Sequence, residues 1–151
     1  MESSSLCPLD GRYAKYVEDI KAVCSERGLV RFRLQVECKY LTYLLCEVTP
    51  PSVAVVPPTS LLDHIASDER VIDRVFELEK VTRHDVKAVE LAIKERLCEA
   101  GFGSCAPFIH FGLTSQDITS VAIWMQLRES RELFVKELKA ITGTLYKRFF
   151  V

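Results

Sequence analysis

The sequence predicts an all-α protein, because of the spacing of its apolar residues and its composition. Along several stretches apolar residues recur at steps of three and four, which places them on one face of a helix. Hydrophobic residues make up 48% of the 151 residues and charged residues 27%, with only six glycines and six prolines. This balance is typical of a globular chain of about one domain with a packed core.

The first long helix is predicted around residues 30–48 and ends before a proline-rich connector. Proline lacks an amide donor and restricts the residue before it, so the helix cannot pass Pro50 and Pro51. The connector continues to Pro57 and Pro58. The apolar face of this helix consists of Val30, Leu34, Cys38, Leu41, Leu45 and Val48.

Two further helical regions are predicted after the connector, with a break near residues 81–83. The first begins near Ser60 or Ser67. The second begins near Asp85 and extends to Gly101, since apolar residues there are again spaced by three or four. These apolar residues are Val86, Val89, Ile93 and Leu97.

The last helix is predicted to begin at residues 114–117, where hydroxyl side chains precede an acid, as is typical of a helix N-terminus. The turn-rich segment 101–107 and a short apolar passage come before it. No glycine, asparagine or proline follows as a stop signal, so we expect a helix cut in mid-element that ends on exposed apolar residues. Its apolar stripe consists of Phe134, Leu138, Ile141, Leu145 and Phe149.

The charge and cysteine content argue against several classes of protein. Twenty basic and 21 acidic residues give a net charge of −1, so no overall field attracts nucleic acid or an anionic membrane. Apolar runs are far shorter than the roughly 20 residues that span a bilayer, and the first residues lack a signal-peptide pattern. Six irregularly spaced cysteines predict neither a zinc site nor a redox motif. We expect a soluble, cytoplasmic protein with reduced thiols.

The first candidate site is a turn at Asp10 and Gly11 that presents Arg12 beside Tyr13. Arginine supplies a planar fork of donors that suits phosphate, and tyrosine adds a hydroxyl. An ordinary surface turn with a packed tyrosine is the alternative.

The second candidate site is Arg83, His84 and Asp85, at the predicted start of a helix. Free backbone amides and the positive helix end favour an anion there, and a histidine can move a proton near neutral pH. The alternative is that Asp85 is an N-cap and His84 a solvated neighbour.

The third candidate site runs from His110 to Thr114 and Ser115. Two hydroxyls open a helix just after Gly112, where a ligand could approach closely, and a carboxylate could bind to them and to the free helix amides. The alternative is a plain N-cap preceded by a core histidine.

Four segments together resemble the adenylosuccinate lyases, in the order and spacing of that family. The likeness covers nearly the whole chain and is nearest to the bacterial-type branch, within the fumarase and aspartase superfamily. Asp10–Tyr13 and Thr82–Asp85 favour this family over other lyases of the superfamily. The segments read CPLDGRY (7–13), GL (28–29) with RFRLQVE (31–37), TRHDVKAVE (82–90) and FIHFGLTSQD (108–117).

The resemblance implies a fold and a reaction. Residues 1–115 would form the N-terminal helical domain of the superfamily, and 116–151 the truncated start of its central long-helix bundle. The enzymes eliminate fumarate from adenylosuccinate to give AMP, and from succinylated aminoimidazole carboxamide ribotide in purine synthesis, without a metal or organic cofactor. They are homotetramers in which several subunits build each active site.

The resemblance also implies roles for residues of the first two candidate sites. Arg12 and Tyr13 would hold the nucleotide phosphate. Arg83, His84 and Asp85 would contact the nucleotide and the substrate, with His84 the catalytic residue linked to proton transfer.

In the third candidate site Thr114 and Ser115 would receive the succinyl portion of the substrate, and His110 would be a further active-site histidine. The family's serine loop and general-acid histidine segment would lie beyond Val151. We therefore expect the 151 residues alone to be inactive. A non-enzymatic, truncated helical module that self-associates or pairs with full-length subunits is the alternative.

Overall fold

The computed structural model describes residues 7–48 and 55–150, and these contain helices and no strands. The prediction of an all-α protein is therefore confirmed. Thr49, Pro50 and Pro51, where the connector was predicted to begin, lie outside the described residues. The α-helices are α1 (Glu18–Cys24), α2 (Glu26–Tyr43), α3 (Thr59–Ser67), α4 (Glu69–Thr82), α5 (Asp85–Glu99) and α6 (Ser115–Phe150).

Short helical turns complete these elements. A 3-10 turn at Ala14–Tyr16 precedes α1, a π-helical turn at Leu44–Val48 extends α2, and a 3-10 turn at Gly103–Phe108 follows α5. The region predicted to begin near Ser60 or Ser67 is in fact two helices. They separate at Asp68, whose side chain accepts a hydrogen bond from the amide of Arg70 and so caps α4.

Helix α2 lies at the centre of the molecule and packs against α1, α3, α5 and α6. The predicted stripe is buried from Val30 to Leu45, whereas Val48 is exposed because it lies at the end of the π-helical turn. The core also contains most of the apolar face of α5 and residues of α3 and α4. Among its fully buried side chains are Leu34, Leu41, Leu62, Ile65, Ile72, Val75, Val89, Ile93 and Leu97.

Helix α6 packs against α1 and α2 along its first half, and its second half extends away from the body of the molecule. Ile118 and Ala122 are buried against the core, but 36 residues at 1.5 Å each give the helix a length of about 54 Å. The predicted apolar stripe at Phe134, Leu138, Ile141, Leu145 and Phe149 is 50–73% exposed. Within residues 7–48 and 55–150, no helix is both long and apolar enough to cross a membrane.

Candidate active site

Arg12 and Tyr13 lie at the predicted turn, on the surface. The amide of Tyr13 donates to the carbonyl of Pro8 at 2.9 Å, and the carboxylate of Asp10 accepts from the amide of Cys7 at 2.8 Å. The guanidinium of Arg12 lies over the Tyr13 ring, 5.4 Å from its centroid. This cation–π contact orders a long side chain while its donors remain at the surface.

His84 caps helix α5, which corrects the alternative in which Asp85 was the cap. Arg83 ends α4 in the left-handed conformation, with φ 52° and ψ 33°, and the chain then extends at His84. The Nδ1 atom of His84 accepts a hydrogen bond from the amide of Lys87 at 3.2 Å. Because an acceptor nitrogen carries no proton, the neutral ring has its proton on Nε2. The ring is half exposed, at 51%.

Asp85 is the first residue of α5 and forms an ion pair with α2. Its Oδ2 lies 2.6 Å from Nη2 of Arg33, whose side chain is only 10% exposed. Its Oδ1 accepts from the amide of Val86 at 2.8 Å. The start of α5 is therefore fixed to the central helix by a charge-assisted contact in which the arginine is largely buried and the carboxylate is 43% exposed.

His110 is neither a solvated residue nor a plain core histidine, because it lies between two carboxylates. Its Nδ1 is 2.5 Å from Oε1 of Glu37, and its Nε2 is 4.0 Å from Oε1 of Glu90. The Glu37 side chain is fully buried and the His110 side chain 14% exposed. Burial raises the pKa of Glu37, while the hydrogen bond with His110 acts in the opposite direction.

Thr114 lies directly before α6 and binds a carboxylate of its own chain. Its amide and its hydroxyl both donate to Oδ2 of Asp117 at 2.8 Å. The backbone hydrogen bond first, and the hydroxyl second, lower the pKa of Asp117, with a smaller contribution from the charge of His110. Ser115 follows and is partly buried. The anion position at this helix start is thus occupied by Asp117.

The structure attaches two of the three candidate sites to α2. Asp85 pairs with Arg33 of α2, and His110 contacts Glu37 of α2 and lies 4.0 Å from Glu90 of α5. Arg12 and Tyr13 make no hydrogen bond to either segment within the part of the chain that the structure describes. Among the described residues, no hydrogen bond or ion pair therefore joins Arg12 or Tyr13 to His84 or His110.

Sequence reasoning gave no individual role to three residues that organise this region: Arg33, Glu37 and Tyr40. Tyr40 donates its hydroxyl to the carbonyl of Phe111 at 2.7 Å, next to the Glu37–His110 contact. The sequence does contain a pattern that groups these three residues, because polar residues spaced by four and three form a row beside the apolar stripe of a predicted helix. Their partners are 52 to 73 residues away in sequence, however, and no local pattern names them.

The fold and this region define an all-α protein in which two histidines and several carboxylates lie beside α2 and α5. No family model matches the chain. Curated adenylosuccinate lyases do: that of Haemophilus influenzae is 37% identical over 137 residues, which is 85% of this chain and 29% of the relative. Those of Escherichia coli K12 and Dictyostelium discoideum are both 36% identical, over 87% and 90% of this chain and 31% of each relative.

The chain is thus a homologue of the adenylosuccinate lyases over nearly all of its length, and the resemblance of its four segments to that family is confirmed. It spans about a third of the length of the curated relatives that it matches.

Proposed function

We propose that this chain contributes substrate-binding and proton-transfer residues to an adenylosuccinate lyase. The reaction is elimination of fumarate from adenylosuccinate to give AMP, and from succinylated aminoimidazole carboxamide ribotide. The observation that carries the proposal is the 36–37% identity to lyases of this name. It is supported by the attachment of Asp85 and His110 to side chains one turn apart on α2, Arg33 and Glu37. Such an elimination needs a base, donors for the developing charge and an acid for the leaving nitrogen.

His84 is the proposed catalytic residue. Its Nδ1 is engaged as the cap of α5, which fixes the ring and leaves the protonated Nε2 as the nitrogen that can donate a proton to the substrate. The ring is exposed enough for a ligand to reach it, and Arg83 and Asp85 beside it supply a further donor and acceptor.

Thr114 and Ser115 are the proposed donors to the succinyl carboxylate. The Thr114 hydroxyl and amide already donate to Asp117, so a substrate carboxylate has to displace Asp117 or bind beside it. In residues 7–48 and 55–150 the Ser115 hydroxyl makes no hydrogen bond, and it therefore remains available to a ligand. His110 completes this side of the site.

Arg12 and Tyr13 are the proposed phosphate-binding pair, acting in a homotetramer whose sites draw on several subunits. Among the described residues, no hydrogen bond or ion pair joins them to the histidines within one chain, and this supports such an assembly. The exposed apolar stripe of α6 supports it too, because large apolar patches on a surface mark association sites. In this proposal residues 1–115 form one domain and residues 116–151 the start of a helical bundle.

Two measurements test the proposal. The 151-residue chain is expected to release no fumarate from adenylosuccinate, since it spans only about a third of the length of the lyases that it matches. AMP, titrated into the chain and followed by calorimetry, is expected to bind. Arg12→Ala is expected to weaken that binding by about 10- to 100-fold, the usual worth of a charged hydrogen bond.

Arg128→Ala is the matched control, since Arg128 also lies over an aromatic ring, that of Trp124 at 5.1 Å, but far along α6. It is expected to leave AMP binding unchanged. Fumarate release by the isolated chain, absence of AMP binding, or equal losses in the two variants would each contradict the assignment.

A non-enzymatic helical module is the second candidate function, favoured by the exposed stripe of α6 alone. Such a module would self-associate or pair with full-length subunits and would have no affinity for nucleotides. Self-association without AMP binding supports the module, and AMP binding that depends on Arg12 supports the lyase.

A further inference from the structure

Three side chains on one face of α2 each contact a segment that carries candidate site residues. Arg33, Glu37 and Tyr40 are spaced by four and three residues, so they lie one above another along the helix. Arg33 pairs with Asp85, Glu37 with His110, and Tyr40 with the carbonyl of Phe111. Two of these contacts reach the same short turn at residues 110–111.

The backbone at this turn needs support, because His110 has a φ of +59°. Residues other than glycine seldom adopt this left-handed conformation, although histidine does so more often than most. Glu37 contacts the ring of His110 and Tyr40 donates to the carbonyl of Phe111, so two hydrogen bonds hold the turn against α2.

The ring of His110 is also fixed by its carboxylate neighbours. Glu37 lies on Nδ1 and Glu90 on the Nε2 side, and Glu90 is itself paired with Lys87 at 2.6 Å. Asp117 is a further charged group that interacts electrostatically with His110. A buried carboxylate on one ring nitrogen of a histidine fixes both the orientation and the tautomer of the ring.

We propose that Glu37 is a positioning residue that holds the neutral His110 ring in the Nδ1–H tautomer, with the bare Nε2 directed toward Glu90 and open to a proton or a donor. His84 has the opposite arrangement, with a bare Nδ1 and a proton on Nε2. The two histidines therefore offer a ligand one acceptor and one donor nitrogen. That this ligand is the lyase substrate depends on the proposed function, but the tautomers do not.

The second oxygen of Glu37 adds an independent observation. Its Oε2 is buried without a hydrogen-bond partner in the described part of the chain. A carboxylate with an unsatisfied oxygen is costly to bury and contributes little to stability by itself. Among the described residues, the Glu37 side chain makes its hydrogen bond with His110, so this contact gives the buried carboxylate a specific role.

The test is heteronuclear NMR of the imidazole nitrogens in the 151-residue chain, recorded over a series of alkaline pH values. The chain has three histidines, and His110→Gln identifies the signal of interest. His110 is expected to show a protonated Nδ1 and a bare Nε2, and His84 the reverse pattern. Glu37→Leu is expected to remove the preference at His110, so that its signals average over both tautomers, while His84 is unchanged.

Two further variants separate positioning from stability. Glu37→Gln keeps an acceptor oxygen and is expected to retain the Nδ1–H pattern. Arg33→Met removes another buried charge one turn away on the same helix and is expected to leave the His110 pattern intact. Circular dichroism confirms that each variant is helical.

Three results would overturn the proposal: a wild-type His110 with its proton on Nε2, identical patterns in wild type and Glu37→Leu, or loss of the pattern in Arg33→Met as well. None of these measurements involves substrate. A failure here is therefore distinguishable from a failure of AMP binding.

Discussion

Gly28 lies where α1 and α2 meet, and an added methyl group has no room there. An ideal Cβ at this position would be 2.2 Å from the carbonyl oxygen of Val23 and 2.8 Å from that of Ala22. Both are backbone atoms, so neither can be relieved by rotation of a side chain. We expect Gly28→Ala to push α1 away from α2, together with the turn that carries Arg12.

The expected cost follows from two opposing effects. Overpacking a close contact costs about 1–3 kcal/mol, and a backbone contact this short places Gly28→Ala near the upper end of that range. Alanine regains about 1 kcal/mol of helix propensity relative to glycine. The net destabilisation is about 2 kcal/mol, or a decrease in Tm of about 4–8 °C for a chain of this length.

Urea and thermal unfolding followed by circular dichroism measure this change, and Gly143→Ala is the matched control. Gly143 lies in α6, where an added Cβ meets nothing within 4 Å, so this variant has the propensity gain of about 1 kcal/mol without the cost. The same substitution is therefore expected to have opposite signs at the two glycines. An unchanged or higher Tm for Gly28→Ala would refute the close approach of α1 and α2.

Three further predictions concern a pH effect, an ion pair and a surface. Because the pKa of Asp117 is lowered in the folded chain, its stabilisation is present above the ordinary aspartate pKa and is lost as the pH falls through the lowered value. The Thr114 amide should report this step by NMR in acid, and an identical step in Asp117→Asn would contradict it. Asp85→Asn leaves the charge of Arg33 without an ionised partner and should lower the free energy of unfolding in urea by about 1–2 kcal/mol, less than for a fully buried pair. If the losses from Asp85→Asn and Arg33→Met were strictly additive in the double variant, the two side chains would not interact. Leu138→Glu, in the exposed stripe of α6, should shift a self-associated chain toward the 17.2 kDa monomer in sedimentation, whereas Lys139→Glu should not. Equal effects of the two variants would argue against the stripe as the surface through which copies of the chain associate.

The positions of the helices were largely predictable, because they depend on local periodicity. The start of α5 at Asp85 and the buried face of Val86, Val89, Ile93 and Leu97 agree with the spacing of apolar residues. The division at Asp68 was not resolved, since either of two serines was a plausible start. A single capping side chain decided it.

The sequence predicted which residues are candidates for the site, but it did not predict which side chains they contact. The sequence placed His84 and Asp85 at a helix start, yet it suggested the aspartate as the cap, because aspartate is the commoner residue there. The structure has the His84 ring in that position, since the carboxylate of Asp85 is engaged by Arg33 from another helix. The ion pair between Arg33 and Asp85, which joins two helices, thus leaves the N-cap of α5 to His84.

By itself the sequence determined the all-α class, the stripes that form the core, and the four segments that match the adenylosuccinate lyases. Those features depend on neighbours within one or two helical turns. Only the tertiary structure decided that Glu37 faces His110 and that Arg33 faces Asp85. These pairings depend on the angles and distances at which helices cross, which are set by the packing of the whole core rather than by any local spacing.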